Sequence, residues 1–378
     1  MNTKSLSTVL IILFAAIFSN CAGKGEEAST EDGIGKMSYA ENLRIEDRDG
    51  YSLVTVRNPW DTLKTLQRYI LVDKDSALPS PLPEGTLIRT PVKNALIYSA
   101  VHSGLVGDLG AGDAIGGVCN ARYVTDSLLR VRIKTGEVVD CGEDMNPDVE
   151  KIIKLHPEVI MLSPFESGDR YSKISKLGIP MIQCADYMEN SGLAQAEWMR
   201  FYGLLFGKGE EADARFNKIE IRYKELKGIA SRASSQPKVL LDQRYGQSWS
   251  VPGGKSTMGR LISDAGGLNP FARYDKSGGV YLAPEKVLAE GGDADIWLVR
   301  YNQPGEKSLR ELSADAPLNS KVKAFKEGNV YGCNTYYVPF FDEAPFHPDL
   351  LLEEMIKLFH PGLLQGDTTL RYFKKMEK

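Results

Sequence analysis

Between residues 95 and 183 short apolar runs alternate with segments whose apolar residues recur every three or four positions. Residues 95–98 (Ala-Leu-Ile-Tyr), 115–118, 159–162 and 179–183 are runs of four or five bounded by polar turns, the mark of strands buried on both faces of a parallel sheet. Helices are expected between them over 99–109, 147–155 and 171–177, so strand and helix alternate as in a parallel α/β lobe. An amphipathic helix is expected over 193–206, ending at Gly207. Residues 210–232 then carry Phe216, Ile219, Tyr223, Leu226 and Ala230 at steps of three and four, which predicts one helix about 30 Å long. A second series follows, with strands at 238–242, 296–299 and 329–331 and helices at 257–265, 284–289 and 347–359. Ahead of both series, 43–56 alternates around Asp49-Gly50 and reads as a hairpin. Residues 67–73 read as a further strand, and Pro79, Pro81 and Pro83 break regularity after it.

The fold class is therefore α/β: two Rossmann-like lobes (91–207 and 237–378) joined by one backbone helix (208–236), with an N-terminal β-rich extension (37–90). The lobes echo each other. Glu150 opens a short helix followed by a turn and the apolar run at 159–162, and Glu285 opens another followed by the run at 296–299.

The first residues carry a different pattern. Lys4 precedes an apolar run from Val9 to Phe18, too short to span a bilayer but fitting the core of an export signal. Cys21 follows directly, where a lipoprotein signal (1–20) places the cysteine that accepts lipid. Residues 21–36 hold almost no large apolar side chain and read as a flexible stalk. The expected product is exported, soluble in its body and held to a membrane through the lipid alone, on the periplasmic or cell-surface side.

Composition narrows the class. A hydrophobic fraction of 42% and a charged fraction of 25% are those of a globular body, and a net charge of −4 gives no reason to expect nucleic acid as a partner. Cys119, Cys141, Cys184 and Cys333 form no Cys-x-x-Cys pair, so zinc and redox motifs are absent; Cys119 and Cys141 either pair or are, like the others, small buried residues. Gly254-Lys255-Ser256 resembles the end of a phosphate-binding loop, but Trp249 stands where its first glycine belongs, and no Gly-x-Ser-x-Gly occurs. These gaps argue against an enzyme.

From Arg89 to the C-terminus, motifs appear in a characteristic order: Leu109-Gly110 through Val118, Glu150 through Leu162, Leu177-Gly178-Ile179-Pro180, Phe325 through Tyr331, and His347-Pro348-Asp349-Leu350-Leu351. In that order they resemble the helical-backbone class of periplasmic binding proteins, which serve ABC importers of ferric siderophores, haem and cobalamin. The resemblance implies a monomer with no cofactor of its own, an iron or cobalt chelate as cargo in the cleft between lobes, and permease and ATPase subunits as partners. It also implies that Glu150 and Glu285 dock the membrane-spanning subunits.

Ligands of open α/β sheets sit beyond the strand C-termini. His102 and Ser103, Arg122 and Tyr123, and Phe165 occupy such loops in the first lobe. Arg244, Tyr245, Trp249, Tyr281, Arg300, Tyr301, Tyr336, Tyr337, Phe340 and Phe341 do so in the second. Aromatic faces suit flat macrocycles or catecholate rings, and arginines suit carboxylates. Tyr123, Phe165, Tyr245, Trp249 and Tyr281 also fall where the resemblance implies pocket aromatics. His102 reads either as an axial ligand to a bound metal or as a polar helix-start residue. With only four histidines, the chain lacks the multi-histidine set of a bare-metal binder. The expected function is capture of a metal chelate for an ABC importer; a surface capture lipoprotein without a transporter, and an exported enzyme, are the alternatives.

Overall fold

The computed structural model describes residues 37–166, 168–366 and 368–378. The leader, Cys21 and the stalk lie outside the described residues, and among the described residues no helix is long and apolar enough to cross a membrane.

The first lobe is built on a five-stranded sheet ordered Met181–Gln183, Val159–Leu162, Ala95–Ile97, Ile115–Val118, Val139–Asp140. All its pairings are parallel. The second lobe's sheet is ordered Val239–Leu241, Ile296–Tyr301, Val330–Asn334, Lys374–Lys375, parallel except at the last strand. Because both sheets are covered on both faces, their central strands are apolar throughout, which is why the runs stand out in the sequence.

The backbone helix runs Gly209–Ala230 and buries Ala212, Phe216, Ile219, Tyr223, Leu226 and Ala230 along one stripe. Glu210 and Glu211 in its first turn and Lys227 in its last are placed favourably for the helix dipole. One apolar core runs from the N-terminal sheet through the first lobe and along this helix to Leu241, Ile262 and Leu298 of the second. Separate cores fill the outer faces of the two lobe sheets: Leu96, Tyr98, Cys119, Ile160 and neighbours in the first, Trp249, Phe271, Trp297 and neighbours in the second.

The segment expected as one amphipathic helix over 193–206 is two helices, Gly192–Glu197 and Met199–Phe206, joined at Trp198 and buried on almost every side. Its inward polar side chains are satisfied rather than exposed. Glu197 accepts backbone N–H groups of Ser38, Tyr39 and Ala40 at 2.8, 2.8 and 2.9 Å. Glu189 takes those of Glu41 and Asn42, together with Trp198 Nε1. The chain entering the globule is thus held by two carboxylates in succession.

The N-terminal extension is a four-stranded sheet. Its hairpin, Leu43–Arg48 with Tyr51–Arg57, turns at Gly50, whose φ of +80° suits glycine. Thr65–Asp73 pairs antiparallel to the hairpin, and a strand absent from the sequence reading, Thr86–Thr90, lies parallel beyond it. Tyr69 ties this sheet to the edge of the first lobe: its hydroxyl donates to Met181 O at 3.0 Å and accepts from Gln183 N at 2.7 Å. The helices Ser127–Thr135 and Leu309–Asp315, and an antiparallel sheet of Arg244–Tyr245, Ser248–Pro252 and Gly279–Leu282, were also not expected. Cys119, Cys141, Cys184 and Cys333 are all free and buried, so Cys119 and Cys141 do not pair.

Candidate ligand-binding cleft

Between the lobes lies a cavity of about 830 Å³. The residues after three strands of the first lobe form one wall. Ile97 leads into Tyr98, Ser99 and the start of helix Ala100–Asp108; Val118 leads into Asn120, Arg122 and Tyr123; Leu162 leads into Ser163 and Phe165. Asn120 adopts a left-handed conformation (φ 55°), which swings the turn Ala121–Tyr123 outward. The second lobe closes the other side with Asn302 after Ile296–Tyr301, and with Thr335, Tyr336 and Phe341 after Val330–Asn334. Every one of these positions follows the C-terminal end of a parallel strand.

The aromatics hold one another in place. Tyr171 meets Tyr98 edge-on at 5.8 Å between centroids and Phe165 at 6.2 Å. Arg170 lies 3.5 Å over the Phe165 ring and Arg122 4.7 Å over that of Tyr123. Behind Phe341 in the second lobe the Arg300 guanidinium sits 5.3 Å from the Phe340 ring and 5.6 Å from that of Phe341. Its Nε donates to Asp242 Oδ1 at 2.8 Å, so this arginine is already committed to a partner. Arg300 and Asp242 also line a smaller cavity of about 280 Å³ with Tyr187 and Gln195 of the first lobe. Burial pushes the Tyr171 and Tyr187 phenols up to about 12, so both remain neutral donors at physiological pH.

The lobes touch beside the cleft. Thr125 N donates to Asp342 Oδ2 at 3.2 Å, and the Thr125 hydroxyl donates to the same oxygen. Burial raises the Asp342 pKa, an effect the two Thr125 bonds partly offset. Gly104 lets helix Ala100–Asp108 approach the second lobe closely; a Cβ there would lie 2.9 Å from Asp342 O.

Of the residues expected to bind cargo, Arg122, Tyr123, Phe165, Tyr336 and Phe341 line this cleft. The others do not line it. His102 is 3% exposed, bonded through Nε2 to Asp186 Oδ1 at 2.8 Å and packed edge-on against Tyr202 and Phe346. It faces the core with Leu105 and Val106 because the helical period turns it inward, and it does not line the cleft. Trp249 is 1% exposed, stacked 5.7 Å from Trp297, with Nε1 donating to Leu241 O at 3.1 Å. It belongs to strand Ser248–Pro252 rather than a loop, and alternation turns it into the core. Arg244, Tyr245 and Tyr281 lie on that same antiparallel sheet; Tyr245 and Tyr281 are 93% and 75% exposed and neither lines the cavity. Tyr301 is buried at a strand end, its hydroxyl donating to Glu306 and accepting from Lys307 N. Tyr337 lines a separate cavity of about 370 Å³ against the C-terminal tail. The sequence reading did not single out Tyr98, Asn120, Arg130, Asp144 or Tyr171; Tyr98 is the last residue of the apolar run 95–98, and a count of two residues beyond the run 115–118 would have reached Asn120.

Two α/β sheets joined by one long helix, with an aromatic cleft at the strand C-termini between them, define a two-lobed solute-binding protein. The family model for periplasmic binding proteins matches residues 100–337, and the chain belongs to that family. An uncharacterised lipoprotein of Methanocaldococcus jannaschii is 25% identical over 97% of this chain and 95% of its own length. The petrobactin-binding protein of Bacillus subtilis is 25% identical over 65% of this chain and 76% of its own. Among solved structures, a periplasmic haem-binding protein from Pseudomonas aeruginosa superposes with a TM-score of 0.59 at 15% identity, over 76% of this chain and 99% of that one. The family and this structural relative are solute-binding proteins.

Proposed function

We propose that this chain is the lipid-anchored substrate-binding protein of an ABC importer. Its cargo is a large metal chelate, a ferric siderophore, haem or cobalamin, held between the lobes and delivered to the permease. The observation that carries this reading is the cleft itself: about 830 Å³ walled by Tyr123, Phe165 and Tyr171 on one lobe and Tyr336 and Phe341 on the other. That volume falls in the range of about 300–1,000 Å³ usual for small-molecule sites. Flat aromatic walls on two sides suit a conjugated or catecholate-bearing chelate better than a bare ion. Relatives named for petrobactin and haem binding support the same class of cargo.

Delivery requires a face that the cargo leaves free. Glu150 and Glu285 each stand exposed in the first turn of a short helix, one on each lobe, and neither lines the cleft. Two fixed anions on separate lobes would set the register against basic permease loops. Cys21 would supply the anchor, and Cys21→Ala should release the protein from washed membranes.

The deciding experiment is absorbance titration of the purified protein with haemin, cyanocobalamin and ferric catecholate and hydroxamate siderophores. Saturable binding of one chelate at equal stoichiometry is expected. Absence of saturable binding by any of them would overturn the proposal.

A further inference from the structure

The first-lobe wall of the cleft contains a hydroxyl without a partner. Tyr98 is 3% exposed, and its Oη makes no hydrogen bond among the described residues. Its ring is not free to swing out. Its backbone N–H is tied to Met161 O at 3.0 Å, and Tyr171 lies edge-on against it while bonding Ser163 O at 3.1 Å. An unpartnered buried hydroxyl is costly, and native proteins leave few of them. Tyr98 lines the cleft cavity, so a group entering the cleft is the candidate to complete it.

Asp144 lines the same cavity and indicates what kind of group that is. Its backbone N–H donates to Asn120 Oδ1 at 3.3 Å, but its carboxylate takes no hydrogen bond or ion pair among the described residues. Next door, Arg122 pairs with Glu143 at 3.1 Å. Burial, with the Asp144 carboxylate adding to it, raises the Tyr98 pKa, so the phenol stays protonated with an oxygen free to accept. An ammonium carries three donors and no acceptor, which matches an unpaired carboxylate beside a phenol oxygen. Arg130, also on the cavity wall and unpaired among the described residues, would answer an anionic portion of the same molecule.

We propose that Tyr98 and Asp144 form a subsite for a protonated amine carried by the bound chelate. The inference rests on the cleft being the chelate site and narrows the cargo to chelates that present an ammonium beside a metal-binding, anionic portion. Ferrioxamine B, a ferric trihydroxamate with a pendant ammonium, and its N-acetylated form share one metal core and differ at that group. Titration by quenching of intrinsic fluorescence should show the wild-type protein preferring the ammonium form by about tenfold or more. Asp144→Asn should abolish that preference. Tyr98→Phe should weaken binding of the ammonium form by several-fold and leave the melting temperature of the unliganded protein the same or higher, since a lone hydroxyl is removed. Equal affinity of the wild type for both forms would overturn the inference, as would a lower melting temperature of unliganded Tyr98→Phe. Wild-type binding of haemin or cyanocobalamin but of neither ferrioxamine would sink the amine subsite and leave the cleft reading standing. Binding of none of these chelates would sink both.

Discussion

Replacing Glu197 tests how the globule holds the segment that leads to the stalk. The carboxylate is fully buried and accepts three backbone N–H groups within 2.9 Å, from Ser38, Tyr39 and Ala40. A hydrogen bond to a charged group contributes about 1.5–3 kcal/mol net. The three share one acceptor that was itself desolvated, so their contributions do not add fully. A loss of about 3 kcal/mol is therefore expected for Glu197→Ala, at the large end for a single substitution. Glu197→Gln keeps the shape but offers one accepting oxygen, and its amide must face an N–H; it should lose about half as much. Urea unfolding followed by circular dichroism measures the global change. Hydrogen exchange of the Ser38–Ala40 amides, read by mass spectrometry, measures the local one. Both should move, and in the order Ala before Gln. If Glu197→Ala stays within about 0.5 kcal/mol of wild type, or if the three amides keep their protection, the carboxylate is not what holds the segment.

Three further outcomes follow from the geometry. Phe341→Ala and Tyr123→Ala remove stacking surface from opposite walls, so each should weaken binding of the best chelate about tenfold, equivalent to 1.4 kcal/mol, with little change in melting temperature; calorimetric titration showing an unchanged dissociation constant for both would remove the aromatics from the site. Burial alone would lower the His102 pKa, but Cys184 and Asp186 beside it raise it well above 6.5, so its stabilisation is complete below the unfolded value and is lost as pH rises through the folded one. Unfolding free energy should fall in the wild type as pH rises above about 6.5, by up to about 1.4 kcal/mol per unit, and His102→Gln should flatten that slope; an identical slope in the variant would refute it. Glu150→Arg and Glu285→Arg should abolish transport in cells while leaving the dissociation constant of the isolated protein intact, and loss of binding instead would show that the residues act on the cleft.

Much of this fold is legible in the sequence because the lobes are layered. A strand buried on both faces leaves an uninterrupted apolar run, as at Val159–Leu162, and a helix lying on a core leaves a stripe, as at Phe216, Ile219, Tyr223 and Leu226. The signal weakens where a strand has one exposed face and few residues. Gly279–Leu282 has no fully buried side chain, and Arg244–Tyr245 is exposed at both positions, so neither shows a pattern that distinguishes it from a loop. Reading that sheet as loop carried Trp249 and Tyr281 into the candidate site, and the strand's alternation places Trp249 in the core. The N-terminal sheet was partly legible through its Asp49-Gly50 turn. The role of Tyr69 was not, because closing the edge at Met181 and Gln183 depends on residues more than a hundred positions away.

The site divides in the same way. Topology says which loops border the cleft, and sequence finds those loops by finding the strands. Which side chain in a loop faces the cargo depends on backbone turns that leave no periodic trace. Tyr336 and Tyr337 are neighbours with rings 4.9 Å apart, yet Tyr336 lines the cleft while Tyr337 turns toward the C-terminal tail and accepts from Gly305 N at 3.3 Å. Likewise Phe340 is buried against Tyr372 and Phe373, and Phe341 beside it reaches the cavity. The Phe340–Phe341 pair therefore supplies one residue to the core and one to the cleft. The core member fixes the loop that holds its neighbour. Phe340→Leu, which keeps an apolar anchor but loses the edge-on contacts, should accordingly weaken chelate binding through Phe341 without touching the ligand itself. The effect should vanish in a Phe341→Ala background, and an undiminished effect there would show that Phe340 acts on the cleft by another route.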